Sequence, residues 1–157
     1  MKVNVEYINP VVTGVVNVVS MVCGVEVTTG KLRLADMSKT KNALTTLVGI
    51  TGQLHGQVII VMHMDVVFDI ASRMMYTKVT ELNDIVRSAI SELSNMIMGN
   101  SLTEFSKQGV LLDITPPTSM LGTMSLSVSD SKMICIPILY EGREFELNIA
   151  VKRKDIE

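Results

Sequence analysis

Four residues between positions 88 and 99 have types and spacing suited to chemistry: Ser88, Glu92, Asn95 and Gly99. If the segment Ser88-Ala-Ile-Ser-Glu-Leu-Ser-Asn-Met-Ile-Met-Gly99 is helical, at about 100° per residue these four fall within roughly 60° of one another. Ile85, Ala89, Leu93, Met96 and Ile97 are read as pointing elsewhere. Asn95 offers a carbonyl acceptor and an NH₂ donor, carries no charge and is too weak a base to be consumed by protonation, so it suits the holding of a water molecule. Glu92 lies one turn away, about 4.5 Å along the axis, and brings a carboxylate into the same cleft. Ser and Asn are poorer helix formers than Ala by roughly half a kcal/mol each, so a stripe built from them invites a functional explanation. The competing reading is an ordinary solvated face.

Other chemistry is poorly represented. His55 and His63 have no carboxylate or cysteine at a recognised ligand spacing, so no metal site is expected. Gly49-Ile-Thr-Gly52 is too short for a phosphate loop and lacks the following lysine, and no nucleophile elbow occurs. Asp113, ahead of a double proline, is expected to shape a turn. The twelve methionines read as core filler, with Met96 and Met98 placed to cushion a partner surface.

Those residues need elements to hold them. The 157 residues suit a single domain, 1–157, and 47% hydrophobic against 19% charged residues argues for extensive burial. A formal charge of −2, with no basic block before Lys152-Arg153-Lys154, argues against nucleic acid as a partner. The apolar run Val11–Val27 is interrupted by polar residues and reads as too short to span a membrane, and no targeting signal is visible. Cys23 and Cys135, in apolar flanks, read as buried and reduced, which suits a cytoplasmic protein.

The pattern predicts a helix over 9–23, opened by Asn9-Pro10 and stopped at Gly24, then a strand over 25–36. Strands over 44–50 and 57–63 flank a turn at 52–56, and Asp65 caps a helix through Met75. Thr80 caps the next helix, with Glu81 and Asp84 in its first turn and Gly109 as terminator; a kink or a change of packing partner is expected beyond Gly99-Asn100, where Leu102 and Phe105 lie toward the former polar side and the apolar stripe loses phase. Strands over 124–139 and 144–152 close the chain around Glu141-Gly142. The class is α/β (α+β). A shift of 75 positions lays Thr13 on Ser88, Asn17 on Glu92, Ser20 on Asn95 and Gly24 on Gly99, an internal echo that suggests duplication.

Ser88-x-x-x-Glu92-x-x-Asn95 resembles the signature of the CheC/CheX/FliY family of chemotaxis phosphatases, in which Asp or Ser opens the motif and Glu and Asn follow. The segments Val48–Val58, Asp113–Thr118 and Phe145–Lys152 are similar to the CheX branch in the same order. The resemblance implies a CheC-like fold: a pseudo-twofold, largely antiparallel sheet packed against long helices. It also implies hydrolysis of the aspartyl phosphate of a CheY-like response regulator, with Asn95 orienting water, Glu92 docking the substrate protein, and Ser88 and Gly99 at the contact. The protein would need no cofactor of its own, Mg²⁺ being supplied by the bound regulator. A homodimer joined by strand pairing is implied as well. The family's two-motif members carry Glu and Asn in both helices; here the first copy has Asn17 and Ser20, so one active motif is expected. The alternative is a non-catalytic binding or assembly module related to flagellar switch proteins.

Overall fold

The computed structural model describes residues 4–35, 40–122 and 133–153. In chain order the elements are α1 (Val5–Cys23), β1 (Thr28–Thr29), β2 (Arg33–Leu34), β3 (Ala43–Gly52), β4 (Leu54–His63), α2 (Met64–Met75), α3 (Asp84–Lys107), β5 (Leu112–Ile114), β6 (Thr118–Leu121), β7 (Ile134–Tyr140) and β8 (Arg143–Arg153). Residue 36 and residues 124–132, expected to be strand, lie outside the described residues.

All three helix starts differ from the sequence reading, and at α1 and α3 the reason is that a nearby side chain does the same work better placed. Asn4, not Asn9, caps α1 by accepting from the Glu6 N–H, and Pro10 is carried inside the helix on its buried face. Asn83, not Thr80, caps α3, its Oδ1 accepting from Val86 N at 2.9 Å; Asp84 keeps its first-turn place and Glu81 falls outside. His63 holds the cap position of α2, and Asp65 sits in the first turn instead. The strand expected over 25–36 is reduced to β1 and β2, both antiparallel to β7; the Gly30 N–H still donates to the Pro137 carbonyl at 2.8 Å, and Lys31 and Leu32 interrupt the ladder.

α3 is continuous over 24 residues, with no break at Gly99. Its buried stripe keeps phase because two serines carry it: Ser94 and Ser101 are buried, and each hydroxyl donates to the carbonyl one turn back, at 3.1 Å to Ile90 and 2.7 Å to Ile97. Ser101 also marks where α1 crosses. A Cβ on Gly14 would lie 2.3 Å from Ser101 Oγ and 2.7 Å from the Ile97 carbonyl, so only glycine lets the two helices meet. Beside that crossing, Asn17 Nδ2 donates to Asn100 Oδ1 at 3.1 Å. By length and composition α1 could cross a membrane, but Ile8, Val11, Val15, Val18 and Val19 line one face and share a core with Ile90 and Leu93 of α3 and Leu44, Ile60 and Leu147 of the sheet.

The sheet runs β1–β7–β8–β4–β3–β5, with β2 also on β7 and β6 also on β3. Exchanging β1 with β5, β2 with β6, β3 with β7 and β4 with β8 returns the same order reversed. The duplication suggested by the helix echo is therefore visible in topology, its axis between the central strands β4 and β8. Each half hands its short strands to the hairpin of the other. β3 and β4 part after the Ile50–Gly56 pair and the chain turns around Gly52, at φ +113°, whereas β7 and β8 turn tightly at Glu141 and Gly142, both at positive φ as a two-residue primed turn demands.

Candidate functional site

The motif residues occupy the solvent side of α3. Ser88, Glu92, Asn95 and Gly99 are all exposed, one to two turns apart along a single helix. No hydrogen bond or ion pair engages the Glu92 or Asn95 side chain among the described residues, so both are free to meet an incoming molecule. Their counterparts on α1 are not: Asn17 is held by Asn100, and Ser20 Oγ donates to Glu26 at 2.9 Å. Gly99 has open space where a side chain would stand, so packing does not call for glycine there, although glycine inside a helix costs about 1 kcal/mol against alanine.

Beside this stripe runs an open groove of about 730 Å³, with Ser88, Ser91, Glu92 and Asn95 on one bank and Thr115, Pro116 and Pro117 on the other. Two ties place the opposite bank. The Thr115 N–H donates to the Gly49 carbonyl at 2.9 Å, while Gly49 N–H donates to Thr115 Oγ1 at 2.8 Å. Farther along, Arg87 Nη2 donates to the carbonyl and hydroxyl of Ser119 at 3.1 and 3.2 Å, joining α3 to β6. Helix and loop thus form a fixed cleft, with Asn95 on its rim.

The sequence reading missed Arg87, Ser91 and the Thr115-Pro116-Pro117 bank as parts of the site, although the Asp113–Thr118 segment had been singled out. It assigned the shaping of that loop to Asp113; Asp113 is an exposed residue of β5 opposite Thr51, and Thr115 makes the clip. Met98 is fully buried and belongs to the core, whereas Met96 is half-buried beside the stripe. Ile85, expected to point away, is 64% exposed. Among the described residues no three His, Cys, Asp or Glu side chains gather as metal ligands.

A second groove, of about 620 Å³, lies at the end of α2 and is organised by ion pairs. Asp69 binds Arg73 at 3.0 Å and Arg143 at 3.6 Å and accepts from the Tyr140 hydroxyl. Burial pushes the Asp69 carboxyl up, but the hydrogen bonds from Tyr140 and Arg73 and the two arginine charges outweigh it and hold the group below the usual carboxylate range. Burial, then the bond to Asp69, pushes the Tyr140 phenol well above its ordinary value. All of these groups are committed to one another, as expected of a structural network.

Comparison with known proteins places the fold in a family. The family described as "Chemotaxis phosphatase CheX" matches residues 44–139. The chain is 29% identical over 147 residues to the "CheY-P phosphatase CheX" of Thermotoga maritima, covering 92% of this chain and 95% of that one. Its structure is similar to a CheC-like superfamily protein from Shewanella sp. PV-4, with TM-score 0.85, 24% identity and coverage of 96% and 99% of the two chains. It is also similar to the crystal structure of the CheX–CheY–BeF₃–Mg²⁺ complex from Borrelia burgdorferi, with TM-score 0.80, 27% identity and coverage of 94% and 98%. With a CheC-like fold and a family match spanning more than half of the sequence, the chain belongs to the CheX family of chemotaxis phosphatases.

Proposed function

We propose that this protein hydrolyses the aspartyl phosphate of a CheY-like response regulator, with Asn95 orienting the attacking water and Glu92 docking the substrate protein. The observation that carries the reading is that Glu92 and Asn95 stand exposed and, among the described residues, uncommitted, one turn apart, on the rim of a fixed groove. In such a reaction water adds to phosphorus, the bond from phosphorus to the carboxylate oxygen breaks, and the aspartate and orthophosphate leave. The acyl phosphate is already polarised in its own active site; what hydrolysis lacks is a water held in line, and positioning is where much of phosphoryl-transfer catalysis resides. The neutral Asn95 amide supplies that order without repelling phosphoryl oxygens.

Glu92 would be repelled by phosphate but attracted to a cation beside it, which fixes the docking register. Ser88 hydrogen-bonds at the rim, and Gly99 lets the partner's backbone come close. Mg²⁺ comes with the regulator; the relative from Borrelia burgdorferi was crystallised with CheY, BeF₃ and Mg²⁺ together. We read the protein as a cytoplasmic homodimer joined through a sheet edge; Leu34 of β2 stands exposed at one edge and Leu121 of β6 at the opposite one. Light scattering across concentrations tests that stoichiometry.

The deciding experiment times phosphate release from a phosphorylated CheY-type regulator. Asn95→Ala should slow it by about 100-fold, the order expected when a positioned reactant is lost. Equal rates for wild type and variant would end the proposal and leave a binding module.

A further inference from the structure

Glu92 stands on a ridge with two unlike sides. Viewed down α3, Ser88, Asn95 and Ser91 lie about 40°, 60° and 100° to one side of it, and Ile85, Met96 and Ala89 about 20°, 40° and 60° to the other. The first set lines the groove and the second does not. On that second side Ile85 is 64% exposed, with Ala89 and Met96 half-buried beside it. A single apolar side chain on a surface means little. Ile85, however, is seven residues from Glu92, as Glu92 is from Gly99, so the three form a row with steps of about 10.5 Å along the helix.

We propose that Ile85, with Ala89 and Met96, forms an apolar shoulder that seats the rim of the substrate regulator, so that docking is polar on the groove side of Glu92 and apolar on the other. The inference rests on the reading of the protein as a regulator phosphatase and adds to it a determinant of affinity. The occupant is the regulator, because the shoulder is continuous with the row of Ile85, Glu92 and Gly99 and borders the Glu92 and Asn95 site at which the regulator is read to dock. Covering Ile85 removes its apolar surface from water and adds to binding, but places nothing near the reacting phosphorus. Ile85 is therefore a docking residue, separable from the chemistry.

The separation sets the test. Affinity is measured for a CheY-type regulator carrying beryllofluoride and Mg²⁺, and phosphate release is followed in a single turnover at saturating phosphorylated regulator. Ile85→Ser should weaken binding about tenfold while the saturated rate stays within about twofold of wild type, and Ile85→Leu should restore affinity. Tyr76→Ser removes an exposed aromatic that lines the other groove and should change neither quantity. Wild-type affinity in Ile85→Ser, or an equal loss in Tyr76→Ser, would overturn the shoulder. Failure of the phosphatase reading is told apart by Asn95→Ala, which then leaves the single-turnover rate unchanged whatever Ile85 does.

Discussion

Thr115 and Gly49 are joined by a reciprocal pair of hydrogen bonds, backbone to backbone at 2.9 Å and backbone to hydroxyl at 2.8 Å, with Thr115 Cγ2 only 3.0 Å from where a Gly49 Cβ would stand. The pair fixes the far bank of the groove against β3, so the diproline loop faces Asn95 at a set distance. Thr115→Val keeps the shape and removes the acceptor. It should cost about 1 kcal/mol in urea denaturation and lower turnover, whereas Thr115→Ser should retain most of both.

Gly99→Ala should separate stability from function. With open space at the Cβ position, alanine should stabilise α3 by up to about 1 kcal/mol, read as a higher midpoint of denaturation. The same methyl stands on the docking row and should weaken regulator binding. A variant that gains stability with undiminished affinity would remove Gly99 from the contact.

The opposite outcome is expected at the other helix glycine. Gly14→Ala forces a methyl against Ser101 Oγ and the Ile97 carbonyl, and should destabilise the fold by about 1–3 kcal/mol through overpacking. Thermal unfolding checks it. Because the crossing sits beside Asn100 and one turn past Met96, turnover should fall with it.

The Asp69 network should give acid sensitivity. Its carboxyl titrates lower in the folded protein than in the unfolded chain, so between those two values the unfolded state binds more protons and stability rises with pH. The contribution is complete above the unfolded value of about 3.9 and is lost as pH falls through the folded one. Asp69→Asn should be less stable than wild type at neutral pH, and the difference should shrink as pH is lowered below about 4. Denaturation midpoints from pH 3 to 7 measure it.

How much of this was readable beforehand depended on range. The Ser88–Gly99 stripe was legible because a helix converts spacing directly into a shared face, and the β3–β4 and β7–β8 hairpins because short turns join their partners. The diproline bank was not, since Thr115 meets Gly49 across 66 positions through sheet pairing. Phase was misjudged in α3 because Leu102 and Phe105 were read as lying toward the polar side, whereas Phe105 is fully buried on the face carried by Ser94 and Ser101, whose hydroxyls bond to the preceding turn and let them act as small core residues. The caps at Asn4 and Asn83 were missed for a simpler reason. Several cap-competent residues crowd each helix start, and only the path of the entering chain selects among them.

The exchange of short strands between the two halves has a consequence for how the protein stands or falls. β1 and β2 complete the edge beside β7, and β5 and β6 complete the edge beside β3, so neither repeat owns a finished sheet. Cutting the chain between α2 and α3 would leave two fragments with ragged borders and no closed core, soluble only when recombined. The half whose helix lacks the motif is thus not dispensable. It is the keel on which the working helix is carried.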